Sequence, residues 1–368
     1  MKCIIASLFF TLSALFCNAQ DLSIKVKSNL SDTVSESSGL VNLKGRFFTH
    51  EDSGGEPFLY EIDTANGTII RNYKVKGAQN VDWEDLASDD RFLYIGDFGN
   101  NAGMRKDLCI YKLSIADVLS GDTQNAAQKI FFNYEGQKDF SNRTYQTNYD
   151  AESLVSIGDS LYIFSKNWGN FKSYIYPISK TPGNYTISIL DSMNVQGLVT
   201  GASYSAKDSV VFLCGYNFNL PFVVQLKMSN GLFACNQFKK TDFPSLGVVQ
   251  IEAICMIDST HFFLTCEKNT TNAQLYILSI LKVHSGLQYN KSLELLLYPN
   301  PVTNFLTVKS SQCIKKIQIF NIAEQLILVS TINFESGSLI DLSYFPIGRY
   351  LFAFEDEFGR KHTRTIVK

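Results

Sequence analysis

The side chains best suited to chemistry in this sequence are carboxylates that recur in one setting. Glu36, Asp82 with Glu84, Asp150 with Glu152, and Glu252 each precede a short apolar run. A second set follows the next apolar run: His50-Glu51-Asp52, Asp97 with Asn100 and Asn101, Lys166-Asn167, and Glu267-Lys268. Carboxylates gathered at one place repel one another, and a bound cation relieves the repulsion. Many carboxylate and amide oxygens suit calcium better than zinc. Such an ion polarises a phosphoryl oxygen or lowers the pKa of a bound water. In this reading Glu84, Glu152 and Glu252 hold calcium, with Glu36 and Asp97 beside them. Asp82 or Asp150 accepts a proton. His50, Asn100, Asn101, Arg105 and Lys166 meet the substrate, and Arg105 or Lys166 takes its negative charge. The competing reading is that each Glu caps backbone amides of a neighbouring unit. Nucleophilic-serine chemistry lacks a GxSxG elbow, and zinc lacks CxxC spacing.

The elements that must position these residues repeat. Each copy has an acidic residue, replaced by Gly201 in a degenerate fourth, then a short strand, a turn and a second strand ending in polar residues. Key positions 36, 84, 152, 201 and 252 give intervals of 48, 68, 49 and 51 residues. A third strand follows at 58–63, 108–113, 173–178, 221–226 and 274–280. A fourth, more polar one follows at 68–75, 129–135, 185–190 and about 235–240. Four strands per period near 50 match a β-propeller blade better than a solenoid coil. The fold expected is all-β, a five-bladed propeller. Six blades are the alternative if the polar stretch 114–147 hides one. The fifth copy lacks its outer strand, and Leu22 to Ser28, with Leu22, Ile24 and Val26 alternating, is available to supply it. Ring closure of that kind removes the free sheet edges. The entry loop and the loop between strands two and three of each blade then share one face, so the two acidic sets meet at the mouth of the central channel.

Abundant aromatics, 28 Phe and 18 Tyr, favour strands. A formal net charge of −2 with scattered lysines gives no basic stripe, so nucleic-acid binding has no support. Residues 1–19 read as a signal peptide: Lys2, an apolar Ile4 to Phe16, and Cys17-Asn18-Ala19 as cleavage site. The apolar stretch is too short to span a bilayer, and no later run is long enough. Lipid attachment at Cys17 is the alternative, disfavoured by the bulky Phe16. Export permits disulfides. Cys255 and Cys266 flank an expected tight turn and form the favoured pair among Cys109, Cys214, Cys235, Cys255, Cys266 and Cys313. Trp83 and Trp168 read as blade-packing aromatics.

The propeller is expected over 20–285, then a linker at 286–292, then a change of character at 293–368. There Tyr298-Pro299-Asn300-Pro301, Phe305-Leu306-Thr307-Val308, Ile317-Gln318-Ile319-Phe320-Asn321, Ile340-Asp341-Leu342-Ser343 and Gly348-Arg349-Tyr350 spell a small β-sandwich. The YPNP opening with Asn304, the Asp-Leu-Ser before Pro346, Gly348-x-Tyr350 and the terminal Lys368 resemble the type A C-terminal sorting domain of the type IX secretion system. Glu324 departs from that pattern, where Gly usually precedes Gln325. The resemblance implies that residues 293–368 engage the secretion machinery, cross the outer membrane and are then removed, leaving a secreted or surface-attached protein.

Glu36-Ser-Ser-Gly-Leu40, His50-Glu-Asp52-Ser-Gly54, Asp82-Trp-Glu84-Asp-Leu86-Ala and Gly96-Asp97-x-Gly-Asn100-Asn101 with Arg105 resemble secreted bacterial phytase-like or esterase-like propellers over 34–280. Glu84-Asp-Leu-Ala followed by Leu93-Tyr-Ile-Gly96 is similar to calcium-activated apyrases, which are five-bladed nucleotidases with calcium in the channel. Neither family's whole site maps onto the chain. Two functions are therefore expected to compete. One is a metal-dependent hydrolase of phosphoesters; the other is a non-catalytic propeller that binds a small molecule, glycan or protein and uses calcium as a staple.

Overall fold

A computed structural model describes residues 21–217, 220–268, 272–281, 295–310, 313–321, 326–330, 337–356 and 361–368. The signal segment, the linker and Glu324 lie outside them. The chain forms two compact units, divided between Val283 and His284.

In the first unit the described residues form five sheets, each with four consecutive antiparallel strands. Blade 1 is Ser37–Leu43, Arg46–Glu51, Phe58–Ile62 and Ile69–Lys74. Blade 2 is Trp83–Ser88, Phe92–Asp97, Cys109–Ser114 and Gln128–Tyr134. Blade 3 is Ala151–Ile157, Ser160–Ser165, Ser173–Ser179 and Asp191–Met193. Blade 4 is Leu198–Ser205, Val210–Asn217, Leu220–Ser229 and Lys239–Asp242. Blade 5 is Ile251–Met256, His261–Cys266, Gln274–Leu281 and, from the N-terminus, Asp21–Asn29. The innermost strands touch in a closed cycle, each packing on the next and the fifth on the first. These residues form a five-bladed β-propeller.

Each strand feeds two cores, because successive side chains point to opposite faces of a sheet. Leu93 and Ile95 join Phe48, Leu59, Trp83 and Tyr111 between blades 1 and 2. Tyr94, between them in sequence, joins Leu154, Ile163 and Tyr176 between blades 2 and 3. Equivalent cores fill the other three interfaces, the last uniting Leu40 and Phe47 with Phe263 and Leu275. Each fully buried side chain of this size contributes roughly 1.5–3 kcal/mol. That double burial explains why the strands read as continuous apolar runs.

Asp21–Asn29 pairs antiparallel with Gln274–Leu281, from Asp21 opposite Leu281 to Asn29 opposite Gln274. Leu22 and Ile24 pack on the core between blades 4 and 5. Val26, in unbroken register with Leu22 and Ile24, is exposed; a bulge follows it, between Val26 and Ser28. Other expectations also need correction. Gly183–Ile187, expected as the outer strand of blade 3, runs parallel to Gln128–Tyr134 and extends blade 2 instead. Residues 114–147 hold a short helix, Ile115–Ser120, and the fourth strand of blade 2, and among the described residues of this unit they add no sixth blade. Cys255 and Cys266 are free, buried thiols. Cys266 pairs with Ile251 at one end of the hairpin ladder and Cys255 with Phe263 at the other, so a disulfide is out of reach.

The second unit is a β-sandwich. Leu295–Tyr298, Phe305–Ser310 and Ser338–Asp341 make one sheet; Leu326–Ser330, Ile314–Asn321, Arg349–Asp356 and Lys361–Val367 make the other. Leu306, Ile317, Ile319, Phe352 and Phe354 fill the space between them. The terminal Lys368 ammonium donates to the carbonyls of Leu342, Ser343 and Phe345, fixing the turn that carries the Asp-Leu-Ser motif.

Removing residues 20–30 should strip blade 5 of its outer strand and expose the apolar edge of Gln274–Leu281. The expected product aggregates or fails to show a cooperative melt by circular dichroism. A truncated chain as stable as the full one would contradict closure by this strand.

Candidate functional site

Every innermost strand carries a β-bulge at the same place. The register slips between Ser37 and Gly39, Trp83 and Leu86, Ala151 and Ser153, Val199 and Gly201, and Ile251 and Ala253. Ser38, Glu84 with Asp85, Glu152, Thr200 and Glu252 are the residues left without a partner. A bulge re-aims the side chain of its extra residue, and here it places one polar group per blade at the channel. The equivalent positions are therefore 38, 84, 152, 200 and 252. Glu36 matches Asp82, Asp150 and Gln250 instead. Asp52, Phe98, Lys166 and Glu267 donate their backbone N–H to the carbonyls of residues 36, 82, 150 and 250, at 3.0, 3.2, 2.8 and 3.4 Å. Those bonds hold the two acidic loop sets on one face.

Ser38, Glu84, Glu152 and Glu252, with Asp52, Asn101, Tyr145, Lys166, Trp168, Tyr216, Gln250 and Glu267, line a cavity of about 340 Å³. Asp52, Asp82 and Glu84 each offer a carboxylate oxygen within 4.8 Å of the other two. Gly99 permits this approach: a Cβ there would lie 2.0 Å from Glu84 Oε1 and 2.5 Å from the Asp82 carboxylate. Ser38 Oγ donates to Glu84 Oε2 at 3.2 Å. Lys166 Nζ lies 3.1 Å from Glu152 Oε1, over the rings of Trp168 and Tyr216 at 5.2 and 5.5 Å. Asp52 Oδ1 and Asn101 Oδ1 are buried without a hydrogen-bond partner among the described residues.

Below this cavity Asp85 is fully buried in the channel. Its carboxylate accepts the N–H groups of Leu86 at 2.8 Å and of Leu154 and Ala202 at 2.9 Å, tying blades 2, 3 and 4 together. Burial pushes its pKa up, and the three N–H groups pull the other way.

The lining carries far more acid than base, and burial drives the acids towards their neutral forms. Burial, then Asp82 and Glu267, push Asp52 up to about 8. Burial outweighs Lys166 to push Glu252 up to about 8. Glu84 and Glu152 are raised well above the ordinary range by burial and by mutual repulsion with neighbouring acids. Lys166 is raised: burial opposes its charge, but Glu152, Tyr216, Glu252 and Asp150 outweigh that.

The structure brings together Glu84, Glu152, Glu252, Asp82, Asn101 and Lys166 from the expected set. The others lie elsewhere or are engaged. Glu36 is exposed, two residues from the bulge. Asp97 accepts from Arg105 at 2.9 Å and from the Asp82 N–H at 3.2 Å, so it braces the Asp82 loop. Arg105 also donates to Gly99 O and Asp107, leaving little for a substrate. Asp150 accepts from Asn100 N at 2.6 Å and Trp168 Nε1 at 2.8 Å, so it anchors the loops rather than facing a substrate. Asn100 caps that loop through Tyr149 O and Arg105 N. His50 is wholly buried, edge-on to Trp83 at 5.5 Å, and burial lowers its pKa to about 4. It does not line the cavity. Asp52 and Glu267, read only as members of the second loop set, do line it; Ser38 was masked by the two-residue misalignment. Tyr216 has no sequence signal, and Trp168, expected as a blade-packing aromatic, lines the cavity and belongs to none of the blade cores.

Residues 296–368 match the family described as "Secretion system C-terminal sorting domain". This tail routes the protein by type IX secretion to the cell surface or beyond. Among the described residues no helix is long and apolar enough to cross a membrane. No curated protein matches the chain by sequence. Similar solved structures include a glucose dehydrogenase at 8% identity, covering 69% of this chain and 98% of that one with TM-score 0.43. The soluble aldose sugar dehydrogenase of Escherichia coli in its apo-form has 8% identity, coverages of 71% and 100%, and TM-score 0.40. The WD40 β-propeller domain of Doa1 has 10% identity, coverages of 92% and 96%, and TM-score 0.33. Likenesses this distant say nothing of activity.

The raised acids set a pH dependence for the protein in chelator. A folded-state pKa above the unfolded value contributes stability below the unfolded pKa and loses it as pH rises through the folded one. Asp52 and Glu252 shift from 3.8 and 4.5 to about 8, so the melting temperature should fall between about pH 5 and pH 8. Each kcal/mol lost lowers it by about 2–4 °C in a domain of this size. Glu252→Gln should flatten the slope. A melting temperature that rises across this window would contradict the crowding of buried acids.

Proposed function

We propose that the channel mouth is a calcium-dependent ligand site, and that the reaction it serves is hydrolysis of a phosphoester. The observation that carries this reading is the three-carboxylate cluster of Asp52, Asp82 and Glu84 opening on the cavity beside Lys166. The residues fit a hard cation. Their donors are all oxygen, Asp52 Oδ1 has no hydrogen-bond partner among the described residues, and Gly99 leaves the space the carboxylates need. Asp52, Asp82 and Glu84 would hold the ion, while Glu152 and Glu252 form the facing wall. The ion would supply Lewis acidity and a counter-charge that lets several buried acids ionise together.

This chain's own groups would do the rest. Lys166, already desolvated and flanked by Trp168 and Tyr216, is placed to hold an anionic group of the ligand. The proton-accepting role that sequence spacing gives to Asp82 or Asp150 would fall to Glu252, which lies outside the three-carboxylate cluster and whose pKa stands near 8 without metal. Asp150 is fully engaged in holding Trp168 and Asn100. A closed ion beneath a non-catalytic face is the rival reading, and the cavity beside the cluster favours the open one.

Calcium at about 100 times its dissociation constant adds roughly 2.7 kcal/mol to a protein that binds it only when folded. The wild-type melting temperature should therefore rise measurably over that in chelator. Glu84→Gln keeps the shape, removes one charge, and should abolish most of the rise. Phosphate release from phosphomonoesters should require calcium and fall with the same substitution. A calcium-dependent melt without any phosphate release would favour the closed ion; identical melts in calcium and chelator would end the cation reading.

A further inference from the structure

At the rim of the same cavity an aromatic pair serves neither blade core. Trp168 and Tyr145 meet with ring centroids 4.7 Å apart, tilted by 57°. Tyr145 is 59% exposed although it lines the cavity. Its backbone stands at φ 56°, the left-handed region that a bulky residue rarely adopts. The surroundings hold it there. Tyr145 N donates to Asn101 O at 3.0 Å, Arg143 N to Ala102 O at 2.8 Å, and Trp168 N to Thr147 O at 3.0 Å. The Trp168 indole is fixed by Asp150 and covered on one side by Lys166. Strained backbone that sets an exposed aromatic beside a polar cavity is costly to keep and belongs to binding sites more often than to packing. Next to this pair, Asn101 Oδ1 is a buried acceptor with no donor among the described residues.

We propose that Tyr145 and Trp168 form a subsite for a pyranose ring, so that the ligand of this cavity is a carbohydrate or carries one. A sugar ring presents a patch of C–H groups that packs on an aromatic face, and hydroxyls around its edge that need hydrogen-bond partners. The cavity that the aromatic pair borders also offers acceptors, Asn101 Oδ1 and the carboxylate oxygens of Glu267 among them. Hydroxyl groups donate to such acceptors without adding charge to an already acidic cavity. A purine would stack equally well but brings few donors to these acceptors. The inference rests on reading the cavity as a ligand site, and it requires neither the ion nor the hydrolysis.

The chain has two tryptophans, and Trp83 is wholly buried in a blade core, so a ligand-dependent change in emission reports Trp168. The full chain is titrated with methyl pyranosides of glucose, galactose, mannose and N-acetylglucosamine and with their β-1,4 disaccharides. Each titration is run in calcium and in chelator, and saturation-transfer NMR on the same panel detects binding that leaves emission unchanged. At least one pyranoside should bind saturably. Tyr145→Ala should weaken it about tenfold, a loss of about 1.4 kcal/mol. Tyr145→Phe should restore it, with the melting temperature and calcium response of both variants unchanged. Binding that persists when calcium no longer affects the melt would retain this subsite and reject only the cation. Silence from the whole panel by both methods, binding of free adenosine without any pyranoside, or full affinity in Tyr145→Ala would each overturn it.

Discussion

The site depends on one irregularity repeated five times. A regular inner strand would send alternate side chains into the two neighbouring blade cores and leave the channel lined by whatever fell between. The bulge at positions 38, 84, 152, 200 and 252 interrupts that alternation; it turns Ser38, Glu84, Glu152 and Glu252 to the channel mouth, while Thr200 Oγ1 donates to Ile251 O at 2.6 Å. Because the inner strands pack in a closed cycle, the five positions converge however far apart they lie in sequence. Convergence is thus a property of the ring, and the ring in turn needs Asp21–Asn29 against Gln274–Leu281 to close it. Blade 2 adds a further residue to its bulge, and that residue, Asp85, ties three blades together from inside the channel.

The charge that the bulges gather is not balanced by the protein alone. Lys166 is the cation that lines the cavity, against Asp52, Glu84, Glu152, Glu252 and Glu267. A buried acid without a counter-charge keeps its proton, and the elevated pKa values of Asp52 and Glu252 are the expression of that cost. Other buried acids are met differently: Asp97 has Arg105, Glu61 has both Arg46 and Arg71, and Asp85 has three backbone N–H groups. The channel mouth sets five acids against one lysine, and that imbalance is what the proposed cation would relieve.

Much of the fold was legible because it rests on patterns that sequence displays directly. The repeat near 50 residues, the Glu that opens copies two, three and five, and the apolar alternation at Leu22 and Ile24 led to five blades and the closing strand. The sorting tail was legible from its motifs. What failed was register. Glu36 was aligned with Glu84, but the bulge, visible only in the ladder pairing, puts Ser38 there. Gly201 was matched where Thr200 belongs, for the same reason. Gly183–Ile187 reads as the next blade's outer strand because a parallel addition to the preceding sheet leaves no local mark. The engagement of Arg105 with Asp97, and of Asp150 with Trp168, is a matter of side-chain partners that spacing does not reveal.

Coupling between metal and protons follows directly from this arrangement, since a cation entering the cluster must displace protons that burial keeps on the acids. Calcium titration by calorimetry near pH 7, repeated in buffers of differing ionisation enthalpy, measures that displacement. The account predicts saturable binding with net proton release, diminishing as the pH is raised past about 8, where Asp52 and Glu252 are already ionised in the metal-free protein. Calcium binding without proton release would contradict it, as would the absence of any calcium-dependent heat.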